Sequence, residues 1–338
     1  MFVSLLSLAA LSILPSDRRI EYVGRFDRRK PDEVACQWPA SEVHLNVRGA
    51  SVQVEMDDKG EDRWAVIVDA KPTQVITAAN KPTVYTIPLG AKAIHSLRLV
   101  KRTEAFVGTT TFLSFAVPDG ELLRPFTRRR KIEVVGDSIT CGFGNEGANQ
   151  NEHFTPATEN AYMSYASIAA RELNADATLI AWSGRKMWPD NTMPAIYNLN
   201  LPNDPTSTHD FSQSTPQVVV INLATNDFGK INPDEKEWTG AYEQFIRRVW
   251  GHYPHATIYM TMGGMMSDNY PAGHKALTTL RGYLEHLQTR MHDSRVHILE
   301  FPQQKMEDGI GSDWHPSLKT DKIMGDMLAD AIKRDLKW

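Results

Sequence analysis

The sequence predicts a two-domain protein, a β-sandwich followed by an α/β domain with a five-stranded parallel sheet. The chain has 338 residues, more than one hydrophobic core usually spans. Apolar residues alternate from about residue 17 to 125. After the basic run Arg128-Arg129-Arg130-Lys131 the pattern changes to short apolar runs separated by helical stretches.

In the first half, Val43, Leu45 and Val47, then Val52, Val54 and Met56, then Trp64, Val66 and Val68, and later Leu97 and Leu99 recur with period two. That is the spacing of strands with one buried face. Turn residues interrupt at Asp57–Gly60, Pro88–Gly90 and Pro118–Gly120, and no stretch keeps a helical period for three turns. A sandwich over residues 17–127 is the expectation. The basic run reads as a solvated connector.

In the second half, runs at 132–135, 177–181, 217–223, 256–262 and 296–301 read as strands. Between them Tyr162, Tyr165, Ala166, Ala169 and Leu173 share one helical face. So do Tyr242, Phe245, Ile246 and Val249, and likewise Leu277, Leu280, Leu284, Leu287 and Met291. A closing helix presents Ile323, Met327, Leu328, Ala331 and Ile332. Strands alternating with helices over 128–338 imply a parallel sheet covered on both faces.

Composition narrows the function classes. Hydrophobic residues make up 41% and charged residues 23%, the balance of a globular chain. A net charge of -4 offers no electrostatic basis for nucleic-acid binding. Cys36 and Cys141 are far apart and read as free, packed thiols. His252 and His255 lack further ligands at metal spacing, so they read as surface or capping residues, and neither a metal nor an organic cofactor is expected. The apolar run at 2–14 ends at Pro15 and is followed by Asp17-Arg18-Arg19. It has signal-peptide length, so residues 1–16 are assigned as a leader and the protein to a secreted or periplasmic location. No other segment is long and apolar enough to span a membrane. Oligomeric state is not readable.

Ligands of parallel sheets bind beyond the carboxyl ends of the strands. There the sequence places Gly136-Asp137-Ser138, Trp182-Ser183-Gly184-Arg185, Ala224-Thr225-Asn226-Asp227 and Ser312-Asp313-Trp314-His315-Pro316. A serine hydroxyl needs a base to take its proton, and the base needs an orienting partner. Ser138, His315 and Asp313 can fill those roles, since in an extended segment Asp313 and His315 point to one side and Trp314 to the other. The backbone N–H groups of Ser138 and Gly184 and the amide of Asn226 are the expected oxyanion donors. Trp314, Trp188 and Met265 are candidate substrate contacts, Trp314 and Met265 with core packing as an equal alternative. The stretch Gly142–Gly147 fits a dinucleotide-binding pattern but lacks the strand and helix that pattern requires.

These four blocks resemble the SGNH or GDSL hydrolases, with Ser138, Gly184, Asn226 and His315 at the matching positions. Within that superfamily the chain resembles carbohydrate esterase family 2, through Gln37-Trp38-Pro39, Val66–Asp69, Gly136–Gly147, Ala181–Gly184 and Asp313–Pro316. The resemblance implies a jelly-roll-like N-terminal sandwich and a serine esterase that removes O-acetyl groups from carbohydrate through a Ser138 acyl-enzyme. Its partner would be an acetylated polysaccharide or oligosaccharide of the xylan or glucomannan type. Other acyl substrates (lipid, sialate, peptidoglycan), or a purely polysaccharide-binding role, are the alternatives. Two positions depart from the superfamily pattern. Ala224 stands where glycine is usual, and Ser312 stands where the acidic member usually lies, three before the histidine. In the carbohydrate esterase branch some members orient the histidine with a backbone carbonyl.

Overall fold

The computed structural model describes residues 12–124 and 127–338. Most of the assigned leader lies outside the described residues. Ile13, near its end, exchanges backbone hydrogen bonds with Phe115 at 2.7 and 2.9 Å.

The N-terminal strands are β1 (Glu21–Val23), β2 (Val34–Cys36), β3 (Glu42–Asp58), β4 (Arg63–Val68), β5 (Lys71–Thr77), β6 (Thr83–Lys101), β7 (Thr110–Ala116) and β8 (Glu121–Leu123). They are joined antiparallel in one hydrogen-bonded sheet, ordered β2-β7-β3-β6-β4-β5, with β1 and β8 also on β3. The two layers are continuous because β3 and β6 are long enough to run through both. The register shifts between Gly49 and Ser51, and this irregularity changes the parity of β3. Val43, Leu45 and Val47 before it, and Val52, Val54 and Met56 after it, therefore all point into one apolar core. In β4 the opposite face is buried too. Ala65 and Ile67 pack into the second domain, so this strand is covered on both sides.

The second domain holds β9 (Arg130–Gly136), α1 (Ser138–Cys141), α2 (Tyr165–Glu172), β10 (Ala175–Ala181), α3 (Met193–Ile196), β11 (Val218–Asn222), α4 (Glu235–His252), β12 (Thr257–Gly264), α5 (Ala276–Met291), β13 (Val296–Gln303) and α6 (Leu318–Leu336). Its five strands are parallel in the order β10-β9-β11-β12-β13. The chain passes from β9 to β10 on one side and then crosses back to β11 on the other, so a crevice opens at the end of β9, where Ser138 follows.

Two expectations are corrected. The basic run is not a free connector, because Arg130 and Lys131 open β9, Arg128 pairs with Asp176 at 2.8 Å, and Arg130 donates to the Leu173 carbonyl at 2.9 Å. On α6 the expected Leu328, Ala331 and Ile332 are buried together with Thr320, Asp321, Met324, Gly325 and Ala329, while Ile323 and Met327 are only half-buried. The helix rolls toward Gly325 because α2 lies against it there. A Cβ at that position would meet Ile168 at 2.7 Å.

The domains share a buried boundary. Trp38 is wholly enclosed and donates its indole N–H to the Leu199 carbonyl at 3.1 Å. Arg25 pairs with Glu133 of β9 at 3.1 Å, both out of solvent.

Candidate active site

The site is built on the turn between β9 and α1. Asp137 accepts the Ile139 N–H at 3.1 Å as the helix cap, which sets Ser138 at the first position of the helix. The Ser138 hydroxyl lies 2.9 Å from His315 Nε2.

His315 is oriented by main chain. Its Nδ1 faces the carbonyls of Ser312 at 3.2 Å and Asp313 at 3.1 Å, so Nδ1 carries the proton and Nε2 presents its lone pair to Ser138. Burial holds the imidazole below its ordinary value, opposed in part by those two carbonyls. The ring of Phe143 packs on it with centroids 4.4 Å apart, and Phe154 stacks on Phe143 at 4.0 Å.

The Asp313 carboxylate does not reach His315. It accepts the His153 Nδ1–H at 2.9 Å and the Phe154 N–H at 2.8 Å. The expected extended segment is instead a tight turn over Ser312–Trp314, with Asp313 at φ 49 and Trp314 at φ 67. Alternation fails in a turn, so the carbonyl of Asp313 faces the histidine while its carboxylate faces away.

This turn is seated on the Gly142–Gly147 stretch. The Ser312 N–H donates to the Gly144 carbonyl at 2.9 Å, and a Cβ on Gly144 would stand 2.6 Å from that of Ser312. The glycine-rich stretch therefore lets two backbones meet and carries the histidine loop.

On the other side, the turn after β10 places Gly184 at φ 76, exposed and with open space where a Cβ would be. Neither the Gly184 nor the Ser138 N–H has a hydrogen-bond partner among the described residues. Asn226 differs from the expectation of a free third donor. Its Nδ2 donates to the Arg185 carbonyl at 3.0 Å and toward Asp137 Oδ2 at 3.3 Å. It holds the Gly184–Arg185 turn against the Ser138 turn.

Asp227, beside it, accepts the N–H groups of Met187 at 3.0 Å and Trp188 at 2.9 Å, and the Trp238 indole N–H at 2.8 Å. Burial pushes Asp227 up to about 6 and Asp137 up to about 7.

Among the proposed substrate contacts, Trp314 is 55% exposed beside His315. The Trp188 ring is half-buried against the core formed with α4, and Met265 is half-buried against the core shared by α2 and α6. Sequence reasoning passed over Phe106, which comes from the sandwich domain, is 47% exposed, and packs on Phe154 with centroids 5.7 Å apart. No sequence signal separates it from an ordinary loop aromatic, because its neighbour is 48 positions away and in the other domain.

A serine paired with a carbonyl-oriented histidine at the crevice of a five-stranded parallel sheet, with unpartnered N–H groups beside it, defines a carboxylic ester hydrolase of the GDSL type. Residues 134–323 match the GDSL-like lipase/acylhydrolase family, and residues 22–126 match the family described as carbohydrate esterase 2 N-terminal. The chain belongs to carbohydrate esterase family 2.

A solved family two carbohydrate esterase from Clostridium thermocellum in complex with cellohexaose superposes with a TM-score of 0.89 at 39% identity, covering 94% of this chain and 99% of that one. Cellulase/esterase CelE of Acetivibrio thermocellus is 40% identical over 330 residues, 94% of this chain. The chain spans only 40% of the length of that relative. An acetylxylan esterase / glucomannan deacetylase of Cellvibrio japonicus is 25% identical over 341 residues, 97% of this chain and 92% of its own length.

Proposed function

We propose that this protein removes O-acetyl groups from carbohydrate through an acyl-enzyme on Ser138. The observation that carries the reading is the 2.9 Å contact between Ser138 Oγ and His315 Nε2, with Nδ1 committed to two carbonyls. His315 starts neutral and takes the Ser138 proton as Oγ bonds to the acetyl carbonyl carbon. The resulting oxyanion accepts hydrogen bonds from the N–H groups of Ser138 and Gly184. As the intermediate collapses, the ester C–O bond breaks and His315 protonates the departing sugar oxygen. Water then gives a proton to His315 and its oxygen to the acyl carbon, which releases acetate and restores Ser138.

The deacetylase names carried by relatives support carbohydrate as the substrate class. So does the exposed indole of Trp314 beside the base, a flat face on which a sugar ring can stack. The apolar run at residues 2–14 supports export, which would place the enzyme where polymeric carbohydrate is found.

Acetate release from acetylated xylan, acetylated glucomannan and a short acyl-ester dye tests the reading in wild type and Ser138→Ala. Release from a polysaccharide in wild type alone is the expected result. Wild-type rates in Ser138→Ala would remove Ser138 as nucleophile. Hydrolysis of the dye without either polymer would redirect the substrate to another acyl ester.

A further inference from the structure

We propose that Glu104 of the sandwich domain is a positioning residue for the oxyanion turn, holding it as the ionised half of a buried carboxyl pair whose other half, Glu159, keeps a proton. The proposal rests on the reading of the Gly184 N–H as an oxyanion donor.

The segment after β6 leaves the sandwich and enters the catalytic domain. The Arg102 carbonyl accepts the Ala161 N–H at 2.9 Å, and the Arg102 guanidinium donates to the Glu159 carbonyl at 3.2 Å and pairs with Glu146. Two residues on, Glu104 is wholly buried. One of its carboxylate oxygens accepts the Ser183 N–H at 2.6 Å, and the other accepts the Ser183 hydroxyl. Two donors of one residue on two oxygens of one carboxylate leave Ser183 no freedom to rotate, and the next residue is Gly184. Gly184 has no side chain of its own to pack and stands in open space. The turn is held beyond it by Asn191, whose amide donates to the Gly184 carbonyl at 3.0 Å.

Glu104 accepts both donors best when ionised, and its surroundings supply little positive charge. Lys101 is bound to Asp62 at 2.6 Å, Arg102 is bound as above, and Asp137 adds a further carboxyl nearby. Glu159 is also wholly enclosed. Its Oε2 accepts the Glu104 N–H at 3.1 Å, and its Oε1 has no hydrogen-bond partner among the described residues. A ligand-capable oxygen of each carboxyl and the buried Cys141 Sγ lie within 4.8 Å of one another. Two carboxylates that close in a dry site do not both ionise. A proton on Glu159 removes one of the two buried charges and leaves Glu104 to accept. Burial raises both groups, Glu104 to about 7 and Glu159 well above its ordinary value.

The test measures kcat and KM on a soluble acetyl ester, and affinity for a boronic acid that forms a tetrahedral adduct on the nucleophile, in wild type, Glu104→Ala, Glu104→Gln, Ser183→Ala and Ser138→Ala. Removing the anchor should lower kcat and boronate affinity together by roughly 30- to 300-fold in Glu104→Ala with KM changed less than about 3-fold, near the loss of one oxyanion donor. Glu104→Gln can accept the Ser183 N–H and donate to its hydroxyl, so it should recover to within about 5-fold of wild type. Ser183→Ala keeps its N–H and should lose only about 3- to 10-fold.

A folded Glu104→Ala with kcat within about 3-fold of wild type would overturn the proposal. Equal impairment of the Ala and Gln variants would also overturn it, because a side chain of the same shape that keeps both hydrogen bonds to Ser183 would then fail to hold the turn. If Glu104→Ala does not fold, Ser183→Ala decides, and wild-type kcat and boronate affinity there would sink the idea. A stoichiometric divalent cation in the purified enzyme whose removal abolishes activity would replace the shared proton by a metal and overturn this account. Wild-type activity in Ser138→Ala would instead break the proposed function, a separate failure.

Discussion

The two sides of the catalytic crevice are anchored by opposite chemistry. His315 is aimed by two main-chain carbonyls, and the loop beneath it rests on backbone contacts with Gly144. The turn that presents Gly184 is aimed by side-chain carboxylates, Glu104 on Ser183 and Asp227 on Met187 and Trp188. A carbonyl keeps the same charge at every pH, so the base side depends on little beyond the titration of the histidine itself. A buried carboxylate accepts several N–H groups more strongly when ionised, so the oxyanion side depends on pH and on neighbouring charges. Among the described residues no carboxylate stands behind the histidine, and Glu104 and Asp227 serve the opposite wall.

The sharpest way to test the base side is His315→Ala. Loss of the imidazole beside Ser138 should lower kcat by about 10⁴-fold or more, while the melting temperature moves little. On the oxyanion side, Asp227→Ala leaves the Met187, Trp188 and Trp238 N–H groups without their acceptor. At about 1–3 kcal/mol for each unsatisfied buried group, denaturant titration should show a loss of several kcal/mol, together with a fall in kcat on the order of 100-fold. A normal kcat with reduced stability would separate Asp227 from the donor turn.

A third prediction concerns how neutral the base side is. Asp321 accepts the Tyr165 N–H at 3.0 Å and the amide of Asn145 at 2.9 Å, and Asn145 belongs to the stretch that seats the histidine loop. Burial pushes Asp321 up to about 8, from an ordinary 3.8. The folded protein therefore keeps a proton that the unfolded chain releases near pH 4. Its contribution to stability is full below about pH 4 and is lost as pH rises toward 8, at no more than about 1.4 kcal/mol per pH unit. Unfolding measured across that range should show Asp321→Asn with a shallower decline than wild type. An identical slope would mean that the site is ionised and the base side charged after all.

The smallest effect belongs to Asp313→Asn. Asparagine tolerates the left-handed backbone at this position, and the Asp313 carbonyl that faces His315 is unchanged. A kcat within about 5-fold of wild type is expected, against about 10⁴-fold for an aspartate that completes a triad. A triad-sized loss would reverse the comparison and put a carboxylate behind the histidine during turnover.

Much of the fold was legible because burial repeats along the chain. Val43, Leu45 and Val47 carry the period of a strand, and Tyr242, Phe245, Ile246 and Val249 that of a helix, and all lie in the cores those periods imply. The last helix misled because Gly325 and Asp321 carry no hydrophobic signal, yet Ile168 and Tyr165 pack against that face. Ser138 and His315, expected together from the loops after strand ends, do stand 2.9 Å apart. The direction of Asp313 was not legible, since two successive left-handed residues reverse the alternation that an extended segment would have.

The sequence by itself determined the fold class and the loops after strand ends on which Ser138 and His315 lie, because these follow from local periodicity, although the two residues stand 177 positions apart. Tertiary structure alone decided what orients that pair. A backbone carbonyl has no sequence signature, and Glu104 reaches Ser183 across 79 positions and a domain boundary. Only packing could bring that carboxylate into a dry site beside Glu159, where it can act.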